Sequence, residues 1–227
     1  MAKIVKVADW WPQAELVIAM QPGQIILARD KISRAVFIDY EGSKTQPPTL
    51  LGYMIDDEIG AGIVERCFND CRHRWGAKHA VPTDHLRLVR KLIHQAENEH
   101  RVIISWSQHD YKIMVDVLRP HKRDLSTLER LFRNAIFTAK KQFKNIFPKA
   151  EGQQNDLAFM MENTGYRVPE KYGKGVVGTS ISQLRKQLAS GLGYADLGPE
   201  GRRLWRTIIK HNVHDLKGMK HVLNTLV

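Results

Sequence analysis

The chain has 227 residues, 43% of them hydrophobic and 26% charged, which suits one sizeable soluble α/β domain. No apolar run is long enough to span a bilayer, and Met1 to Met20, interrupted by Asp9, Pro12 and Glu15, lacks the apolar block of a signal peptide, so a cytoplasmic protein is expected. A formal charge of +11 and a pI near 9.7 favour a polyanionic partner, of which nucleic acid is the commonest.

In chain order, residues 1–33 read as an N-terminal extension with a short strand near Gln24–Ala28. The run Ala35-Val-Phe-Ile-Asp-Tyr-Glu41 is apolar enough for a central strand, and it ends in two acids. Alternation in an extended chain points Asp39 and Glu41 to the same side. Two carboxylates on one buried face repel each other, and a divalent cation removes that cost; hydration at a strand end is the plainer alternative. Strands at 49–55 and 59–68 follow, joined by the turn Asp56-Asp57-Glu58, which predicts an antiparallel meander.

Cys67, Cys71, His73 and His79 lack a regular zinc spacing, so two ordinary thiols are expected there. Pro82-Thr-Asp84 opens an amphipathic helix reaching Glu99, with Leu86, Val89, Leu92, Ile93 and Ala96 at helical spacing. A strand over 101–106 and a helix over 110–118 come next. Beyond Pro120 the chain reads as mostly helical, beginning with one long basic amphipathic helix over 126–147. Between Arg119 and Lys149 nine Lys/Arg oppose two acids, and Lys140, Lys141 and Lys144 are the candidates for tracking phosphates. Residues 148–179 read as an irregular insertion, and helices follow over 180–189 and from Pro199 to about Leu226. Without a linker or repeat, residues 1–227 are expected to form a single domain: a mixed sheet flanked by helices, with a helical C-terminal part.

Three acidic loci stand out: Asp39/Glu41, Asp110 after the fourth strand, and Asp215 in His211-Asn-Val-His-Asp-Leu-Lys-Gly218. Helical spacing puts His211, Asp215, Gly218 and Met219 on one face and turns His214 about 100° from Asp215. Gly218 would let a neighbouring backbone approach closely. The plainer roles are a helix N-cap for Asp110, a solvated pair for His211 and Asp215, and a core position for Trp106.

The hydrophobic strand with Asp39-x-Glu41, the segment Ile103-Ile-Ser-Trp-Ser-Gln-His-Asp110 and the C-terminal Asp215 together resemble the DEDD 3′–5′ exonucleases of the ribonuclease H-like superfamily, over residues 35 to about 224. Two motifs depart from the family pattern. Ser105, Trp106 and His109 stand where the second motif usually has an Asn and an apolar residue. In the third, His211 holds the four-residue offset where one subclass has Tyr, and Lys210 the five-residue offset where the other has His.

The resemblance implies a ribonuclease H-like α/β fold and a two-metal nuclease acting on single-stranded ends of DNA or RNA. Asp39, Glu41, Asp110 and Asp215 would ligate two Mg²⁺ or Mn²⁺ ions about 4 Å apart. His211 would orient or deprotonate the attacking water, and Trp106 would stack on a base. A catalytically silent nucleic-acid-binding protein on the same fold is the alternative. A small-molecule phosphohydrolase fits the metals but leaves the positive charge unexplained.

Overall fold

The computed structural model describes residues 24–42, 46–71, 73–75, 78–147, 152, 155–173 and 175–227. Residues 1–23 of the expected N-terminal extension, and Lys149, lie outside them. No strand forms at 24–28. Leu27 is buried there with its N–H donated to Thr138 Oγ1 at 2.9 Å, and a short helix α1 (Arg29–Ser33) follows.

β1 (Val36–Glu41), β2 (Leu50–Ile55) and β3 (Glu58–Ile63) form the expected meander, turned by Asp56 and Asp57, both at positive φ. The chain leaves β3 through a 3₁₀ turn (Arg66–Phe68) where a longer strand was expected. A hairpin that the residue pattern does not announce, β4 (His73–Trp75) with β5 (Lys78–Pro82), then extends the sheet.

α2 (His85–Asn98) is N-capped by Asp84, which accepts from Arg87 N–H, and it buries Leu88, Val89, Leu92, Ile93 and Ala96. β6 (Ile103–Ser105) returns parallel to β1, and α3 (Gln108–Leu118) follows, capped by Ser107 rather than Asp110. The basic stretch is not one helix. α4 (Lys122–Leu131) and α5 (Ala135–Ile146) are separated by β7 (Phe132–Asn134), which pairs parallel to β6. Leu128, Leu131 and Phe132 satisfy a helical period, yet pairing on an open sheet edge satisfies the Phe132–Asn134 backbone equally well.

α6 (Leu157–Asn163) and a 3₁₀ turn (Glu170–Tyr172) lie within the expected irregular insertion. α7 (Val176–Ala189) and the 28-residue α8 (Pro199–Leu226) complete the chain. At 1.5 Å per residue α8 is about 42 Å long. The sheet order is β4-β5-β3-β2-β1-β6-β7, with β1 an interior strand between β2 and β6 and helices on both faces.

Alternation along β1 organises the two main cores. Val36, Ile38 and Tyr40 face Leu88, Val89, Leu92, Met114, Leu128 and Phe132 on the side of α2, α3 and α4. Phe37 faces the opposite core with Ala139, Phe143, Met160, Leu216 and Val222, where α5, α6 and α8 pack. A third cluster joins Ile63, Phe68 and Cys71 to Ile181, Leu184, Trp205 and Ile208 of α7 and α8. Among the described residues, no helix is long and apolar enough to cross a membrane.

Candidate metal centre

Asp39 and Glu41 share the β1 face that carries Phe37, and α8 covers that face. The same alternation that buries Phe37 therefore delivers both acids to a helix carrying His211 and Asp215. Glu41 is 7% exposed, and its Oε1 is buried with no hydrogen-bond donor among the described residues. Asp110 is also buried, in the first turn of α3.

The position of Asp110 follows from how β6 ends. The ladder between β1 and β6 stops after Phe37–Ile104, and the Trp106 carbonyl turns away to accept from Ile136 N–H at 3.3 Å. The Tyr40 N–H beyond the ladder is instead donated to Asp110 Oδ1 at 3.2 Å, and Ser107 Oγ donates to Asp110 Oδ2 at 3.3 Å. A backbone donor that would otherwise be orphaned thus pins the third acid beside the first two.

Asp215 enters from α8. His211 Nε2 lies 3.3 Å from Asp215 Oδ2 and 3.9 Å from Glu41 Oε1. One ligand atom from each of these three residues falls within 4.8 Å of the others. The structure therefore gathers Glu41, Asp215 and His211 into one ligand group, with Asp39 and Asp110 outside it but close enough to act on its charges, across more than 170 residues of sequence. His214 is turned away: its Nδ1 lies 3.2 Å from the Tyr166 hydroxyl, and its ring stacks on Tyr172 with centroids 5.7 Å apart.

The electrostatics describe an acidic site without enough positive charge. Burial, together with Glu41, Asp215 and Asp110, raises the Asp39 carboxyl well above its usual range. Burial and the charges of Asp215 and Asp110 do the same to Glu41. Asp110 is raised by burial, with partial relief from the Tyr40 N–H. For His211, burial works against the charged form, but the hydrogen bond and charge of Asp215 outweigh it and push the imidazole up to about 9. Hard carboxylate oxygens, an imidazole nitrogen and a buried acceptor lacking a donor are a donor set that fits a divalent cation.

Two residues that the motif reading passed over hold this arrangement. Asn212 is 1% exposed, and its Nδ2 donates to both the Asp39 carbonyl at 3.1 Å and Asp39 Oδ2 at 2.8 Å. It reaches Asp39 through a notch at Gly52 of β2, where a Cβ would fall 1.7 Å from Asn212 Oδ1. Tyr172 offers its backbone carbonyl to His211 Nδ1 at 2.6 Å. An Asn directly after His211 was visible in the sequence; Tyr172 lies in a stretch without periodicity and carried no signal.

The remaining candidates lie apart from the centre. Trp106 is 8% exposed in the core and donates its indole N–H to the Asn155 carbonyl at 2.9 Å, so its ring has no free face for a base. Gly218 admits a side chain rather than a backbone, because a Cβ there would fall 1.9 Å from Met161 Sδ. Lys140, Lys141 and Lys144 are exposed on α5, while Arg119 and Arg130 of the same basic stretch pair with Asp116 and Glu97. Burial pushes the Cys67 and Cys71 thiols up to about 11 and about 12, which keeps both neutral. The side chains of His73 and His79 lie outside the described residues.

Compared with known proteins, the chain matches no family model, no curated protein and no solved structure.

Proposed function

We propose that this protein is a metal-dependent nuclease on a ribonuclease H-like fold, a 3′–5′ exonuclease that acts on single-stranded ends of DNA or RNA. The observation that carries the reading is the buried acidic centre: Asp39, Glu41 and Asp110 with raised carboxyls, Asp215 beside them, and Glu41 Oε1 without a donor. Leaving such a group unsatisfied costs about 1–3 kcal/mol, which a folded chain tolerates where a ligand repays it. The three antiparallel strands, followed after the added hairpin β4–β5 by a helix, a strand parallel to β1 and a helix, support the fold assignment, and the net charge of +11 supports a polyanionic substrate.

Asp39, Glu41, Asp110 and Asp215 would hold two divalent cations, which when bound lower the pKa of the attacking water and stabilise the departing 3′ oxygen. The chain supplies the alignment. Asn212 fixes the rotamer of Asp39 by donating to its carboxylate and carbonyl together. Tyr40 N–H and Ser107 Oγ hold the two oxygens of Asp110. The Tyr172 carbonyl orients the His211 ring, so that Nε2 faces the acids. Positioned groups of this kind avoid reorganisation when charge develops on the phosphate.

Incubating the protein with end-labelled single-stranded DNA and RNA in Mg²⁺, Mn²⁺ or EDTA tests the reading. Stepwise shortening from the 3′ end in metal, and none in EDTA, is expected. Salt-sensitive binding without cleavage under every condition would instead indicate a silent nucleic-acid-binding protein.

A further inference from the structure

We infer that His211 is itself a ligand of one cation through Nε2, alongside Glu41 and Asp215, rather than the group that orients the attacking water. The inference rests on the metal-centre reading above and deepens it by assigning a mixed nitrogen–oxygen site. The tautomer comes first. A carbonyl oxygen only accepts, so the 2.6 Å contact with Tyr172 places the hydrogen of the neutral ring on Nδ1 and leaves the lone pair on Nε2. A backbone carbonyl on the nitrogen remote from the ion is the usual support of a metal-bound histidine.

The spacing comes second. Ligand atoms bonded at roughly 2.1 Å to one ion lie roughly 3 Å apart at right angles and roughly 4 Å apart when opposite. His211 Nε2 is 3.3 Å from Asp215 Oδ2 and 3.9 Å from Glu41 Oε1, both inside that range. The Glu41 side chain is 9% exposed, and among the described residues its buried Oε1 has no hydrogen-bond donor, although it faces His211 Nε2 across 3.9 Å. At 3.9 Å, His211 Nε2 is too far to donate to that oxygen, whereas a cation between them, taking the place of the Nε2 proton, satisfies both. Nitrogen in the set shifts preference away from Mg²⁺, which favours oxygen, and toward Mn²⁺, Co²⁺ or Zn²⁺.

The test loads the full chain with Mn²⁺ alone and records pulsed electron paramagnetic resonance for coupling to a ¹⁴N nucleus, with Mn²⁺ and Mg²⁺ affinities measured by calorimetry. Wild type is expected to show imidazole nitrogen coupling. His211→Ala should lose it and bind Mn²⁺ at least about tenfold more weakly, with a smaller change for Mg²⁺, while His214→Ala keeps the coupling. Bound Mn²⁺ without nitrogen coupling in wild type, or coupling that persists in His211→Ala, overturns the inference. The wild-type spectrum decides the matter even if the alanine variant fails to fold. Cleavage with no coupling sinks this inference alone, and coupling with no cleavage sinks the nuclease reading alone. Absence of any metal binding sinks both.

Discussion

Replacing Glu41 with Gln should stabilise the metal-free protein while removing its response to metal. Glu41 is almost fully buried among Asp39, Asp110 and Asp215, its carboxyl is held above the usual range, and Oε1 has no donor. A glutamine of the same shape removes one charge from the acidic group and can donate an N–H to a neighbouring carboxylate. The buried unsatisfied acceptor alone is worth about 1–3 kcal/mol. For a chain of this size, each kcal/mol moves the melting temperature by about 2–4 °C, so Glu41→Gln in EDTA should melt about 2–12 °C above wild type. Metal reverses the order: at a hundredfold excess over Kd, wild type gains about 2.7 kcal/mol, and the variant, missing a ligand, gains far less. Thermal melts by circular dichroism in EDTA and in Mn²⁺ give both numbers. A metal-free Glu41→Gln that melts below wild type would show that Glu41 is structurally satisfied, and the argument for a metal centre would lose its main support.

Gly52→Ala should cost about 1–3 kcal/mol in a denaturant melt and weaken metal binding, because the new Cβ would displace Asn212 from Asp39; unchanged Mn²⁺ affinity would exclude Asn212 as the support of that acid. The His211 imidazole, raised to about 9 in the folded protein, contributes stability that is full below its unfolded value of 6.5 and is lost as pH rises through 9. The metal-free melting temperature should therefore fall from pH 6.5 to 9, less steeply in His211→Gln, and an identical slope in the variant would refute the assignment. Mn²⁺ affinity should rise over the same interval as bound metal displaces protons, measured by titration at three pH values. Replacing Lys140, Lys141 and Lys144 together with Ala should weaken single-strand binding and reduce its log–log salt slope by about 2; an unchanged slope would move the binding surface off α5.

Much of the β1 face was legible because one strand carries two signals. Val36, Phe37 and Ile38 mark it as central, and the period of two places Asp39 and Glu41 on the same side. The α8 register was equally readable, since helical spacing alone separates His211 and Asp215 from His214. What the residues did not announce depends on partners distant in sequence. Nothing about Gly52 reveals that Asn212, 160 positions away, fills the space of its missing side chain. Residues 132–134 become a strand only because β6 offers a free edge, which local periodicity does not encode. Asp110 matched an N-cap in isolation, but Ser107 takes that role and frees the carboxylate for Tyr40 N–H and the acidic centre. Trp106 carried both a core and a base-stacking reading, and only the packing around it decides for the core.

The central claim, metal-dependent hydrolysis at the Asp39 centre, is tested most directly by single-turnover cleavage of 5′-labelled single-stranded oligonucleotides, DNA and RNA, by wild type and Asp39→Ala in Mn²⁺. Wild type should give a ladder shortening from the 3′ end that EDTA abolishes. Asp39→Ala should fold, as judged by its circular dichroism spectrum, and leave the substrate intact. Cleavage by a folded Asp39→Ala at the wild-type rate, or by wild type in EDTA, would contradict the account.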